Sequence, residues 1–235
     1  MFVREPLRAS RYRARVQPYR VIERKSAPDG TPIELVRHGD AWIVRAGGHV
    51  LISSRSHRSE QELARLALQA FAPKVATRVL VGGLGLGFTL RAVLDRVGTG
   101  AHVEVAELVP AVVEWNQTTL AELADNPMQD ARVSVRVGDV ADVLASSVAG
   151  FDVVLLDVDN GPVKVAHAAN DALYGAHGSR AAHAALRPGG VLAVWSSTGD
   201  ARYVRTLERA GFGHVREHSV RAHGSRHVVF VAVRA

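Results

Sequence analysis

Four segments of the chain carry residue types that could do chemistry. The first, Val81-Gly82-Gly83-Leu84-Gly85-Leu86-Gly87-Phe88, is a glycine-rich turn. Such a turn lets backbone approach a ligand closely and, where it opens a helix, offers unpaired N–H groups to a carboxylate or phosphate. Its glycines fall as GxGxG, and a nicotinamide or flavin fingerprint begun at Gly83 would need a small residue where this chain has Phe88. The plainer alternative is a tight strand-to-helix turn. Glu107 follows Gly83 by 24 residues, the interval at which an acid can accept both hydroxyls of a ribose. Gly138-Asp139, followed by Val140, supplies a short acid able to receive an adenine amino group, or merely an N-cap. The fourth segment, Leu155-Leu156-Asp157-Val158-Asp159-Asn160-Gly161-Pro162, sets two carboxylates and an amide behind an apolar run. Asp159 to Pro162 also read as turn chemistry; Asp157, first out of the run, is harder to explain that way.

These segments all sit where a predicted strand ends. From Thr77 onward, β-branched runs alternate with helical patterns: strands over 78–81, 102–106, 132–137, 151–156, 190–195, 214–218 and 227–233, with helices starting near Gly87, Pro110, Val140, Asp171 and Asp200. That order predicts an α/β fold, a doubly wound and mostly parallel sheet whose last two strands pair antiparallel, and it puts ligands beyond the carboxyl ends of the strands. Ahead of it, runs over 33–36, 41–45 and 49–53, separated by turn clusters, predict a small antiparallel meander. A helix N-capped by Ser59 joins the two. The expected division is a basic, mobile arm over 1–25, the meander over 26–58 and the larger domain over 59–235.

Composition narrows the function classes. A chain of 235 residues with 47% apolar and 22% charged side chains can bury a sizeable core, and it has no cysteine for disulfides, thiolate catalysis or zinc thiolate sites. Every apolar run is cut well short of a membrane span, and no export signal opens the sequence, so a soluble, cytoplasmic protein is expected. The net charge of +6 lies wholly in residues 1–25; the other 210 residues balance 21 basic against 21 acidic side chains. Only the arm could attract a nucleic acid, and weakly. His214, His218, His223 and His227 lack an accompanying carboxylate set, so no metal is expected. Trp195, at a strand end, could wall a pocket.

Taken together the motifs resemble the spermidine synthase-like branch of the class I S-adenosylmethionine-dependent transferases, over residues 33–212. The match rests on the meander, the glycine turn, Ala106-Glu107-Leu108-Val109-Pro110, Gly138-Asp139, the Asp157–Pro162 loop, Leu173-Tyr174 and Leu186-Arg187-Pro188-Gly189-Gly190. The resemblance implies a Rossmann-like, seven-stranded sheet and S-adenosylmethionine or its decarboxylated form as co-substrate. It also implies a small amine acceptor and dimerisation through the N-terminal region. Gly83, Gly85 and Gly87 would line the donor tail, Glu107 the ribose, Asp139 and Val140 the adenine, and Asp157 the reacting centre, helped by Asp159 or Tyr174. Alkyl transfer from a sulfonium is an in-line displacement that needs no metal; the enzyme must hold a nucleophile in line and keep it unprotonated.

Three departures bear on the acceptor. The family's acid for the donor amine is here Gly85, its second loop aspartate is Asn160, and its Tyr-His-Glu element is replaced by residues 55–60, which bring Arg55 and Arg58. A polycation needs carboxylates, so these exchanges favour methyl transfer. The alternatives are aminopropyl transfer to a polyamine, and a non-catalytic protein that binds an adenosine ligand or nucleic acid.

Overall fold

The computed structural model describes residues 18–71, 75–158, 173–222 and 224–235. Four strands come first, β1 (Arg20–Ser26), β2 (Pro32–His38), β3 (Ala41–Ala46) and β4 (His49–Ser53), paired antiparallel in that order. Helix α1 (Arg58–Ala70) leads from them into the larger domain. There follow β5 (Arg78–Gly82), α2 (Phe88–Leu94), β6 (His102–Glu107), α3 (Pro110–Gln117), β7 (Val133–Val137), α4 (Val140–Ser146) and β8 (Phe151–Leu156). After residue 172 come α5 (Ala176–Ala185), β9 (Leu186–Ser196), α6 (Ala201–Arg209), β10 (Phe212–Ala222) and β11 (Ser225–Arg234).

The seven strands of the larger sheet lie in the order β10-β11-β9-β8-β5-β6-β7. From β9 to β7 neighbours are parallel, and β11 and β10 close the edge antiparallel. The chain steps outward from β5 to β7, then returns to β8 on the other side of β5. The strand order therefore reverses between β5 and β8, the point at which a crevice forms beyond their carboxyl ends.

A continuous apolar run suits a strand covered on both faces, because alternate residues feed opposite cores. All six residues of β8 are buried. Val153 and Leu155 join the core that also holds Leu63 and Ala67 of α1, Leu90 of α2 and Trp115 of α3. Val154 and Leu156 face Leu144 of α4, Ala185 of α5 and Leu207 of α6. Each such side chain stabilises the fold by roughly 1.5–3 kcal/mol relative to exposure.

The structure differs from the sequence reading at the N-terminal side. Strand β1 occupies 20–26, inside the stretch read as the arm's end, and it is tied to the larger domain: Trp115 Nε1 donates to Glu23 Oε2 at 2.8 Å, and Lys25 Nζ meets Glu114 Oε2 at 2.6 Å. Ser59 does not cap α1. His57 holds the cap position without a side-chain cap bond, and the Ser59 hydroxyl, buried within the first turn, donates to Glu60 Oε2 at 2.6 Å. Strand β9 starts at Leu186 rather than near Gly190, because Leu186 already pairs with Phe151 of β8. The helix expected from Asp171 begins outside the described residues. No described helix is long and apolar enough to cross a membrane.

Candidate active site

Three strand ends are stitched together at the crevice. Gly83 N–H donates to the Ala106 carbonyl at 2.9 Å, and Asp157 N–H donates to the Gly82 carbonyl at 2.8 Å. Gly83 has φ +88°, and a Cβ there would lie 2.5 Å from the Asp157 carbonyl oxygen. Only glycine accommodates both the dihedral and the approach. The turn is then held from two sides. Buried Glu107 accepts from Leu84 N–H through Oε2 and from Val109 N–H through Oε1, each at 2.8 Å. Asn116, buried on α3, donates through Nδ2 to the Gly85 carbonyl at 2.9 Å and to the Val112 carbonyl at 2.9 Å.

A cavity of about 410 Å³ opens at this point, large enough for a nucleoside with a short tail. The larger domain lines it with Gly83, Gly85, Glu107, Asp139, Val140 and Asp157, so six of the residues singled out from sequence converge there. Asp139 also caps α4, its Oδ1 accepting from Ala141 N–H at 2.8 Å. The plain reading of that acid and the ligand-facing one thus hold for the same side chain. Asp157 Oδ2 accepts from Thr89 Oγ1 in a short hydrogen bond.

Other expected residues fall elsewhere. Gly87, with φ +84° at the start of α2, is not in the lining; a Cβ on it would point at Asn116 and Pro127. Tyr174 is buried behind the wall, its hydroxyl donating to the Val158 carbonyl at 3.1 Å and its ring edge-on to Tyr203. Its neighbour Leu173 lines the cavity instead. Asp159 and Asn160 lie outside the described residues.

The opposite wall comes from β4 and the start of α1: Ile52, Ser53, Ser56, Ser59 and Glu60. Of the segment read as bringing Arg55 and Arg58, it is the serines and the glutamate that face inward. Both arginines are exposed, and Arg55 Nη2 donates to the His38 carbonyl at 3.2 Å. A guanidinium on the surface keeps its hydration, whereas Ser56 and Ser59 are small enough to pack inward. Burial pushes the Glu60 carboxyl above the usual carboxylate range. Trp195 and His227 complete the lining, their rings 5.2 Å apart. Burial pushes the His227 imidazole down, which keeps it neutral near pH 7.

The sequence reading missed Thr89, Asn116 and Glu60. Thr89 and Asn116 gain their roles only when α2 and α3 close on the turn. Glu60 has a local signal, an acid in the first turn of a helix, which reads as a complement to the helix dipole. Among the described residues no group of three or more His, Cys, Asp or Glu side chains is arranged to hold a metal.

Comparison with known proteins bears on this site. A model of the spermine/spermidine synthase domain matches residues 60–201. Polyamine aminopropyltransferases of Mycobacterium tuberculosis and Mycobacterium bovis are 34% identical over 146 residues, a stretch that covers 58% of this chain and 27% of theirs. The chain thus matches about a quarter of the length of those relatives. A spermidine synthase from Thermotoga maritima superposes with a TM-score of 0.74 at 19% identity, over 92% of this chain and 73% of that one. A spermidine synthase in complex with the transition-state analogue AdoDATO gives 0.72 at 18%, with the same coverage. The seven-stranded sheet with its N-terminal antiparallel sheet is the fold these share. The expectation of methyl transfer as the main activity is corrected by these relatives, whose named activities are aminopropyl transfer and spermidine synthesis.

Proposed function

The chain belongs to the spermine/spermidine synthase domain family, and from that premise we propose that it transfers an aminopropyl group from decarboxylated S-adenosylmethionine to an amine of a polyamine. The observation that carries this reading is the charge of the cavity. Glu60, Glu107, Asp139 and Asp157 line it, and no Lys or Arg of the described residues does, although the chain as a whole is basic at +6. Decarboxylated donor is cationic at both sulfonium and amine and carries no carboxylate; a polyamine is cationic throughout. Both suit an acidic cavity, while the carboxylate of ordinary S-adenosylmethionine would be repelled in one.

In the reaction the acceptor nitrogen lone pair attacks the methylene attached to sulfur, the C–S bond breaks, and its electron pair goes to sulfur to give neutral methylthioadenosine. The attacking amine must first lose a proton. Asp157, at the crevice between β5 and β8 and oriented by Thr89, is the residue we assign to hold that amine and take the proton. Glu107 holds the donor ribose and Asp139 its adenine amino group.

Product analysis tests the reading. With decarboxylated S-adenosylmethionine and putrescine or spermidine, methylthioadenosine and the lengthened polyamine are expected. Release of S-adenosylhomocysteine from S-adenosylmethionine, with no methylthioadenosine from the decarboxylated donor, would overturn it.

A further inference from the structure

We infer that Glu60 holds the ammonium end of the donor's aminopropyl tail, an inference that rests on the function proposed above. Each of the other three acids of the cavity is fixed to the larger domain: Glu107 by the N–H groups of Leu84 and Val109, Asp139 by the N-terminus of α4, Asp157 by Thr89. Glu60 instead enters from the opposite wall. Its carboxylate accepts from the neutral hydroxyl of Ser59 and from its own backbone N–H, and no Lys, Arg or His pairs with it among the described residues. Burial raises its carboxyl, as expected of an acid that folding desolvates without supplying a cation. Such a group is costly unless a ligand brings the missing charge.

Geometry selects the tail rather than the nucleoside. The His57 ring stacks on Phe88 at 4.5 Å and 23°, which seats the first turn of α1 against the residue that follows the glycine turn. The turn itself carries no acid. Gly85 has φ +51°, and Ile52 Cδ1 lies 3.1 Å from where its Cβ would be. With glycine at 85, the carboxylate we assign to a cation beside this turn is Glu60 of α1, which lines the same cavity as Gly85.

The test uses Glu60→Gln, which keeps the shape and an acceptor for Ser59, and two ligands measured by calorimetry. Methylthioadenosine has the nucleoside without the tail; decarboxylated S-adenosylmethionine has both. The variant should bind the decarboxylated donor about 10- to 100-fold more weakly, the loss of one charge-assisted contact, and methylthioadenosine within about twofold of wild type. Retained methylthioadenosine affinity also shows that the variant is folded. If both ligands bind and the variant holds the donor as tightly as wild type, Glu60 is not the tail's partner while the proposed function stands. If donor affinity is unchanged and only the polyamine KM rises, Glu60 serves the acceptor and the inference is overturned. If wild type binds neither ligand, the function itself falls and this inference with it.

Discussion

Strand β8 carries an aspartate at each end, and the two live in different electrostatic worlds. At the amino end, Asp152 is fully buried, and its Oδ2 accepts from the Arg78 N–H at 2.8 Å and from the Arg187 guanidinium at 3.0 Å. At the carboxyl end, Asp157 faces the cavity and is oriented by a threonine hydroxyl. The contrast extends along both edges of the sheet. Asp130, just before β7 at the amino edge, is gripped by both forks of Arg132. At the carboxyl edge, Glu107 and Asp139 are held by backbone amides and Glu60 by a serine. These donors fix the direction in which each acid points. The amino edge thus commits its carboxylates to ion pairs, and on the function proposed above the carboxyl edge presents its own to a cationic ligand.

Substitutions at the two edges should separate these roles. The largest effect is expected at Gly83, where a methyl group meets the Asp157 carbonyl and the φ is positive. Gly83→Ala should abolish detectable methylthioadenosine binding, because the turn can relax only by moving the end of β8. Next, Asp152→Ala should lower stability by about 3 kcal/mol, since it strands a part-buried N–H and a partly buried guanidinium, while leaving activity per folded molecule intact. Asp157→Asn should do the reverse: a melting temperature within a few degrees of wild type and turnover lower by about 100-fold, the usual scale of a lost proton acceptor. Thermal melts beside single-turnover rates read both. An Asp157→Asn melt depressed as far as that of Asp152→Ala would erase the distinction between the edges.

Much of this arrangement is legible in the sequence because local pattern and tertiary role agree. Val153 to Leu156 is apolar without interruption, which a strand covered on both faces requires, and Gly83, Glu107, Asp139 and Asp157 stand at strand ends that the alternation of elements locates. Legibility fails where tertiary approach decides. Strand β1 reads as part of a charged arm, since Arg20, Glu23, Arg24 and Lys25 hide a strand whose order comes from pairing with β2 and from Trp115 on α3. The segment 55–60 misleads differently. Counted by charge it brings arginines to the site; folded, it turns them to solvent and presents Ser56, Ser59 and Glu60. That inversion, together with Gly85, is what tilts the sequence reading toward methyl transfer.

The smallest effects give the sharpest test, because the two edges should respond to pH with opposite signs. The Arg132 guanidinium holds the Asp130 carboxyl down to about 2, against an ordinary value of 3.8. Its contribution is fully present above pH 3.8 and is lost as pH falls toward 2. The full shift corresponds to about 2 kcal/mol, which water over a side chain 22% exposed reduces to about 1 kcal/mol. Asp130→Asn should therefore cost about that much at pH 7 and almost nothing near pH 2. Glu60 shifts upward, so folding favours its protonated form, and it costs stability once pH rises above 4.5. Glu60→Gln should then stabilise the ligand-free protein at pH 7, with the gain fading toward pH 4. Denaturant titrations of wild type and both variants across pH 2 to 8 measure the two differences directly. Curves that move the same way would mean that Glu60 is compensated like Asp130, and the proposed role of Glu60 toward a cationic ligand would lose its support.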